Sequence, residues 1–253
     1  MGAQLIWLGS LALEIAILFR GALAGLFKKY PFFYAYIGCV LLKGSLRLVF
    51  YRFAPVFYVQ SSWFAELATI VASYAVVIEI FRWMFRNSPG VANAAQKALL
   101  FVFMLTASFT ATDLLSRKGI SLLRMTAELS RDLRYVEGAL LLVMLWLFGR
   151  CRISIGRNLF GLIVGFSFWV GLNVINLALL FAPGNRYSVG LARVLPITYV
   201  ITLVIWCAAL WSLQPEPAQP AENTIERDYQ AFVAKTRTTL GRLPSRIART
   251  LQP

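Results

Sequence analysis

Histidine is absent from this sequence, and acidic residues are scarce: 11 Asp and Glu stand against 25 Lys and Arg in 253 residues. Without histidine the chain lacks the most common general base and the most common metal ligand. The three cysteines, Cys39, Cys151 and Cys207, are odd in number and far apart. They predict neither a disulfide framework nor a metal site. We therefore expect no metal and no cofactor.

The usual sequence motifs of catalysis are also missing. There is no GxSxG, no HExxH, no phosphate-binding P-loop and no CxxC pair. Lys43 has no serine three or four positions away, and Asp113 would pair with Glu66 only if their helices met. We therefore expect a protein that is not an enzyme.

Apolar residues, in contrast, are abundant. They make up 59% of the chain, charged residues make up 14%, and the mean hydropathy is +0.68. A soluble domain of this size needs a more polar surface, so the composition predicts an integral membrane protein. A net charge of +14 would suggest a nucleic-acid partner in a soluble chain. Here the basic residues flank apolar runs, as at a cytoplasmic membrane face, so we expect no nucleic acid.

Seven segments predict an all-α bundle of seven membrane helices in residues 1–213. The first has neither the basic region nor the cleavage site of a signal peptide, so we expect it to remain as a helix. The multi-pass pattern predicts the inner membrane of a bacterium as the location. The predicted spans are 5–25, 31–51, 63–83, 98–115, 130–148, 159–182 and 189–213.

The fifth segment is difficult because its uncharged run, from Gly138 to Gly149, has only 12 residues. At about 1.5 Å per residue such a helix covers roughly 18 Å of a hydrocarbon core of about 30 Å. To cross, it must also carry the charged residues between Arg131 and Glu137 into the bilayer. A six-span bundle would leave the apolar run unburied, so we predict that the fifth segment spans.

The distribution of Lys and Arg predicts the orientation. If the N-terminus is outside, the inner loops hold Lys28, Lys29, Arg82 and Arg86, and the basic tail is also inside. The outer side then has fewer basic residues and most of the acids of the bundle. The positive-inside rule therefore predicts an N-out/C-in protein.

Polar side chains recur in the outer halves of most of the predicted helices. A charge that faces lipid costs about 2.5–3.5 kcal/mol on insertion scales, so these side chains should face the interior. A cavity open to the outside would accommodate them together, and its excess of arginine suits a small anionic or zwitterionic ligand. The alternative is that the fifth helix begins outside as a solvated stretch. The predicted ligand-binding residues are Arg47, Glu66, Asp113, Arg131, Asp132, Arg134, Glu137, Trp169, Asn173, Asn176 and Arg193.

Glu14 and Lys43 lie near mid-membrane in neighbouring predicted helices. We expect an intramembrane ion pair between them, since unpaired charges are costly at that depth. A structural bridge and a pair that couples to protons or ions are both open interpretations.

Two patterns of small residues, GALAG at 21–25 and GLIVG at 161–165, allow helix backbones to approach closely. In a seven-helix bundle we expect them to serve packing within the chain.

The C-terminal part is predicted to be a separate unit. Residues 214–224 form a Pro-rich linker, and residues 225–253 form a basic amphipathic tail. Such a tail is expected to lie on anionic lipid headgroups, and docking to a cytoplasmic protein is the alternative. The residues predicted to contact the membrane surface are Lys235, Arg237, Arg242, Arg246 and Arg249.

These features favour a non-enzymatic, receptor-like sensor of a small ligand. A small transporter or channel is the first alternative, since it also needs a polar interior. A structural subunit of a larger membrane complex is the second.

Overall fold

The computed structural model describes residues 2–53, 55–116, 122–151, 156–180, 188–211 and 226–236, and these are helical apart from short turns. The first eight helices are α1 (Gly2–Leu23), the single-turn α2 (Leu26–Lys29), α3 (Pro31–Phe53), α4 (Pro55–Met84), α5 (Pro89–Ser116), α6 (Leu122–Cys151), α7 (Arg157–Leu180) and α8 (Ser188–Leu210). A further helix, α9, covers residues 226–236.

Proline and glycine set several helix boundaries. α3, α4 and α5 each begin with a proline, at Pro31, Pro55 and Pro89. Proline suits this position because its fixed φ is helical and its missing N–H would have no partner in the first turn. Gly25, between α1 and α2, has a φ of 66°, a backbone conformation that glycine adopts without steric cost.

Three helices begin eight or nine residues earlier than predicted. The predictions for α4, α5 and α6 followed the apolar runs, whereas the helices continue through the polar residues before them. α6 has 30 residues, so it is about 45 Å long, which exceeds a hydrocarbon core of about 30 Å. The charges from Arg131 to Glu137 are thus part of one continuous helix with the apolar run.

Apolar surfaces indicate a membrane protein. Four segments of the described chain are long and apolar enough to cross a membrane, and α8 has a shorter apolar stretch at Val194–Leu210. The four are Leu5–Leu23, Ser61–Met84, Pro89–Asp113 and Arg157–Leu179. Large apolar side chains such as Phe19, Phe109 and Trp146 are 64 to 74% exposed on the outer helix faces. Such surfaces indicate contact with lipid.

Six of the long helices form a ring, and α5 lies outside it. Around the ring, α1 packs against α3, α3 against α4, α4 against α6, α6 against α7, α7 against α8, and α8 against α1. α5 packs against α4 and α6. A side chain on α5 is therefore separated from the interior of the ring by its neighbours.

Contacts between the ends of helices show which helix ends lie together at one end of the bundle. Glu79 near the end of α4 meets the start of α3, and Arg20 near the end of α1 donates to the carbonyl of Trp211 just after α8. We call this end, where α1, α4, α6 and α8 finish, the tail end, and the opposite end the N-terminal end.

The tail half of the ring has an aromatic core. Trp206 of α8 is fully buried, and its ring lies 5.1 Å from Phe33 and 5.8 Å from Phe166, centroid to centroid. The ring of Tyr36 also belongs to this group, with its centroid 6.2 Å from that of Trp206. These rings join α3, α7 and α8 and close the interior on that side.

The helix α9 packs at the tail end. The carboxylate of Glu226 accepts hydrogen bonds from the backbone N–H groups of Gly90 and Val91, at 3.1 and 3.5 Å, and so caps the start of α5. Phe232 of this helix is 67% exposed. Lys235 lies in this helix, whereas Arg237, Arg242, Arg246 and Arg249 lie outside the described residues.

The glycines of the GLIVG pattern lie in the contact between α7 and α8, as predicted for packing within the chain. A Cβ at Gly161 would meet the Cβ of Ala209, and one at Gly165 would meet the indole of Trp206. The absence of side chains here lets the two helices approach closely.

Gly161→Ala is expected to lower the unfolding free energy by about 1–3 kcal/mol, because the added methyl group forces α7 and α8 apart. Thermal unfolding of the purified protein measures the change. Gly171→Ala on the same helix is the matched control, since a Cβ there has no neighbour within 4 Å. Its expected effect is zero or a small stabilisation, and equal losses for both variants would contradict the packing role.

Candidate ligand-binding site

Charged residues of α3, α4 and α6 meet around one carboxylate. Glu66 Oε2 accepts a hydrogen bond from Lys43 Nζ at 2.7 Å and lies 3.8 Å from Arg47 Nη2. Glu66 Oε1 lies 3.6 Å from Arg134 Nη2. Arg134 Nη1 in turn lies 3.5 Å from Glu137 Oε2. We call these five residues, Lys43, Arg47, Glu66, Arg134 and Glu137, the ion-pair cluster.

Helical spacing brings the cluster together. Lys43 and Arg47 are four residues apart and share one face of α3, while Arg134 and Glu137 are three apart on α6. α4 packs against both helices, so Glu66 lies between the two faces. Four of the predicted ligand-binding residues, Arg47, Glu66, Arg134 and Glu137, are thus brought together by the fold.

The cluster changes from exposed to buried toward the interior. The side chain of Arg47 is 45% exposed, those of Lys43 and Glu66 are 17 and 21% exposed, and that of Glu137 is fully buried. Charges in such an environment are stable only when paired and hydrogen-bonded. Three cations surround two carboxylates, so the cluster keeps an excess positive charge.

The innermost pair has unused hydrogen-bonding capacity. Within the described residues, neither carboxylate oxygen of Glu137 accepts a well-aligned hydrogen bond, and Arg134 Nη1 donates none. The Ser73 hydroxyl lies close to Glu137, but it donates to the carbonyl of Ile70 at 2.8 Å. Buried polar groups nearly always have a partner in native proteins. Arg134 and Glu137 are therefore ion-paired but not hydrogen-bonded to each other, and each keeps capacity for a further hydrogen bond.

Glu14 and Lys43 do not form the predicted ion pair with each other. Glu14 accepts a hydrogen bond from the Tyr199 hydroxyl at 2.8 Å, and Lys43 is bound to Glu66. The reason is the helix arrangement: α4 presents Glu66 directly to Lys43, while α8 lies against α1 and presents Tyr199 to Glu14. The Tyr199 ring also lies 4.8 Å from the ring of Trp169.

Tyr199→Phe is expected to destabilise the protein by about 1–3 kcal/mol, since the buried carboxyl of Glu14 loses its hydrogen-bond donor. Thermal unfolding in detergent measures this. Tyr135→Phe on α6 is the control. If Tyr199→Phe melted with the wild type, the bond between α1 and α8 would be refuted as a stabilising contact.

Other predicted ligand-binding residues lie away from the cluster. Arg131 and Asp132 form an ion pair with each other at 2.8 Å. The Asp132 carboxylate also accepts a hydrogen bond from the hydroxyl of Thr110 on α5 at 3.3 Å. This pair faces α5, outside the ring, so the fold does not bring Arg131 and Asp132 to the ion-pair cluster. Asp113 is also on α5.

The polar residues of α7 and α8 are dispersed. Asn173 donates to the carbonyl of Trp169 one turn earlier, at 2.8 Å, which is a contact within α7. Trp169 faces Tyr199, and Asn176 is half-buried. The side chain of Arg193 lies outside the described residues.

Sequence reasoning missed the uncharged members of this region, above all Tyr199, Ser73 and Tyr74. Tyr74 donates to the carbonyl of Leu133 at 2.6 Å and so ties α4 to α6. Spacing offered a signal: Ser73 is seven residues after Glu66, two helical turns along the same face. Polar uncharged residues at such intervals from a buried charge mark the same interior face.

Among the described residues, no group of three or more His, Cys, Asp and Glu side chains is placed to hold a metal ion. The arrangement instead brings three cations and two carboxylates together within the bundle, and such groups form charge-assisted hydrogen bonds with partners of opposite charge. Comparison of the chain with protein-family models, with curated proteins and with solved structures finds no match.

Proposed function

We propose that this protein is a seven-span membrane protein, N-out/C-in, that binds a small zwitterionic or anionic ligand at Arg134 and Glu137 and acts as a non-enzymatic sensor. The observation that carries the proposal is the unused hydrogen-bonding capacity of this buried pair. A ligand that supplies the missing hydrogen-bond partners would stabilise the protein while it is bound. The state of the protein would then depend on the presence of the ligand, which is what a sensor requires.

The proposed seven spans are α1 and α3 to α8. Besides the four apolar spans, α8 has its apolar stretch, and α3 and α6 direct several of their charged side chains toward Glu66. Pairing in the interior lowers the cost of these charges in a bilayer. The basic residues at the tail end favour placing that end in the cytoplasm. α9 lies at the same end, which is consistent with a C-terminus inside.

The ligand class follows from the charges. A carboxylate or phosphate group would accept from Arg134 Nη1, while an ammonium group would donate to Glu137. A molecule that carries both groups, such as an amino acid or a related zwitterion, matches the pair best. Lys43 and Arg47 hold Glu66 and contribute the excess positive charge that favours an anionic end.

We place no reaction at this site. Both carboxylates of the cluster face cations, which suits them to hold charges in place. The signal would instead leave through the bundle, with the contact between Glu226 and the start of α5 as a route from the helices to the tail.

Extraction of the wild-type protein from its own membrane, followed by mass spectrometry of the small molecules it releases, tests the proposal. We expect a small zwitterionic or anionic compound in stoichiometric amount. Glu137→Gln should lose most of it, since a neutral amide lacks the charge that attracts an ammonium group. Asp132→Asn on the same helix is the control and should retain it. Equal retention by Glu137→Gln would refute the site.

A transporter is a second candidate, favoured by the Glu14–Tyr199 hydrogen bond, which places a further buried polar group across the ring from the cluster. Reconstituted vesicles distinguish the two functions. Sensing predicts binding of the released compound without its uptake. Uptake that is abolished by Glu14→Gln would establish transport instead.

A further inference from the structure

The tail end has a pocket that is separate from the ion-pair cluster. It has a volume of about 290 Å³ and lies between α2, the start of α3 and the end of α4. Four of its lining side chains are cationic, against one carboxylate. The cations are Lys28, Lys29, Arg82 and Arg86.

The single carboxylate in the pocket, Glu79, is directed to the backbone. Its oxygens accept from the N–H groups of Phe32 and Phe33, at 3.1 and 2.9 Å, and so cap the first turn of α3. Since both oxygens are occupied in this way, the carboxylate holds the helix start in place. Four cationic side chains therefore line the pocket beside this one backbone-bound carboxylate.

Trp83 positions two of the cations. Its indole N–H donates to the carbonyl of Lys29 at 3.0 Å, and Lys29 Nζ lies 5.4 Å from the ring centre. The guanidinium of Arg86 lies 5.4 Å from the same ring. Cation–π contacts of this kind fix flexible side chains, so less conformational freedom is lost when an anion binds.

We propose that this pocket binds a phosphate group. Arginine forks and lysine ammonium groups are the side chains that recognise phosphate, and two of each converge here. A volume of about 290 Å³ is at the small end of ligand pockets, so it suits a phosphate with a small substituent. Basic pockets between helices at a membrane face bind lipid headgroups, and a soluble phosphate compound presents the same chemistry.

The test uses the full-length protein in lipid nanodiscs, with two probes. In the first arm the discs contain phosphatidylcholine and phosphatidylglycerol, and native mass spectrometry counts retained phosphatidylglycerol. In the second arm the discs contain phosphatidylcholine alone, and equilibrium dialysis measures binding of radiolabelled inorganic phosphate. The pocket variant is Arg82→Gln with Arg86→Gln. The matched control, Lys97→Gln with Arg157→Gln, removes two exposed cations outside the pocket.

We expect the pocket variant to bind roughly tenfold less than the control, which should behave as the wild type. Binding in the first arm alone identifies a lipid headgroup, and binding in the second arm identifies soluble phosphate. No binding in either arm, or equal binding by the two variants, would overturn the proposal. Should the pocket variant not fold, Lys28→Gln, whose side chain is exposed, provides the same comparison.

Discussion

Arg134→Ala is expected to lower the free energy of unfolding by about 3–5 kcal/mol, the cost of breaking a buried ion pair. Arg134 is 5% exposed and faces two carboxylates, Glu66 and Glu137. Lys43 still balances Glu66 in this variant, but Glu137 is left fully buried without its cation. At about 2–4 °C per kcal/mol for a chain of this length, the melting temperature should fall by roughly 10 °C.

Two further variants separate charge pairing from other effects. Arg131→Ala, three residues earlier, breaks a partly exposed pair and should cost no more than about 1 kcal/mol. Arg134→Met with Glu137→Leu removes both charges and should recover most of the stability, because no buried charge is left unpaired. If Arg131→Ala and Arg134→Ala were equally destabilising, this would contradict the claim that burial makes the loss of Arg134 more costly.

Trp206→Ala is the other substitution with a large expected effect, about 3–5 kcal/mol. The indole is fully buried, contacts the rings of Phe33 and Phe166, and donates to the carbonyl of Leu162 at 3.4 Å. Its removal leaves a cavity where α3, α7 and α8 meet. Thermal unfolding of the purified protein in detergent measures the loss.

Trp146→Ala is the control for this substitution. Trp146 is 65% exposed on α6, so its ring faces the surroundings of the bundle and its loss should change the melting temperature little. A small effect of Trp206→Ala, comparable to that of Trp146→Ala, would contradict the central position of the aromatic core.

Apolar runs and prolines were sufficient to locate the long helices. The second predicted span started at Pro31, and α3 begins there. The starts of α4, α5 and α6 could not be predicted from the starts of the apolar runs. A helix that leaves the bilayer continues into polar sequence as long as its backbone hydrogen bonds are satisfied, so the end of an apolar run does not mark the end of the helix.

The contacts between helices were harder to predict than the helices themselves. Lys43 was expected to pair with Glu14, whereas the packing of α3 against α4 brings it to Glu66. The position of α5 outside the ring decides likewise that Asp132 meets Thr110. Sequence spacing gives the face of one helix, whereas the order of helices around the ring depends on the packing of all of them.

The most direct test of the central claim is an experimental structure of the wild-type protein in lipid, at a resolution that shows ordered water. We expect non-protein density larger than a water molecule in contact with both Arg134 and Glu137, with polar atoms at about 2.7–3.2 Å from Arg134 Nη1 and from the Glu137 carboxylate. A closed Arg134–Glu137 pair with both groups hydrogen-bonded to each other, or with water alone between them, would contradict the proposed ligand site.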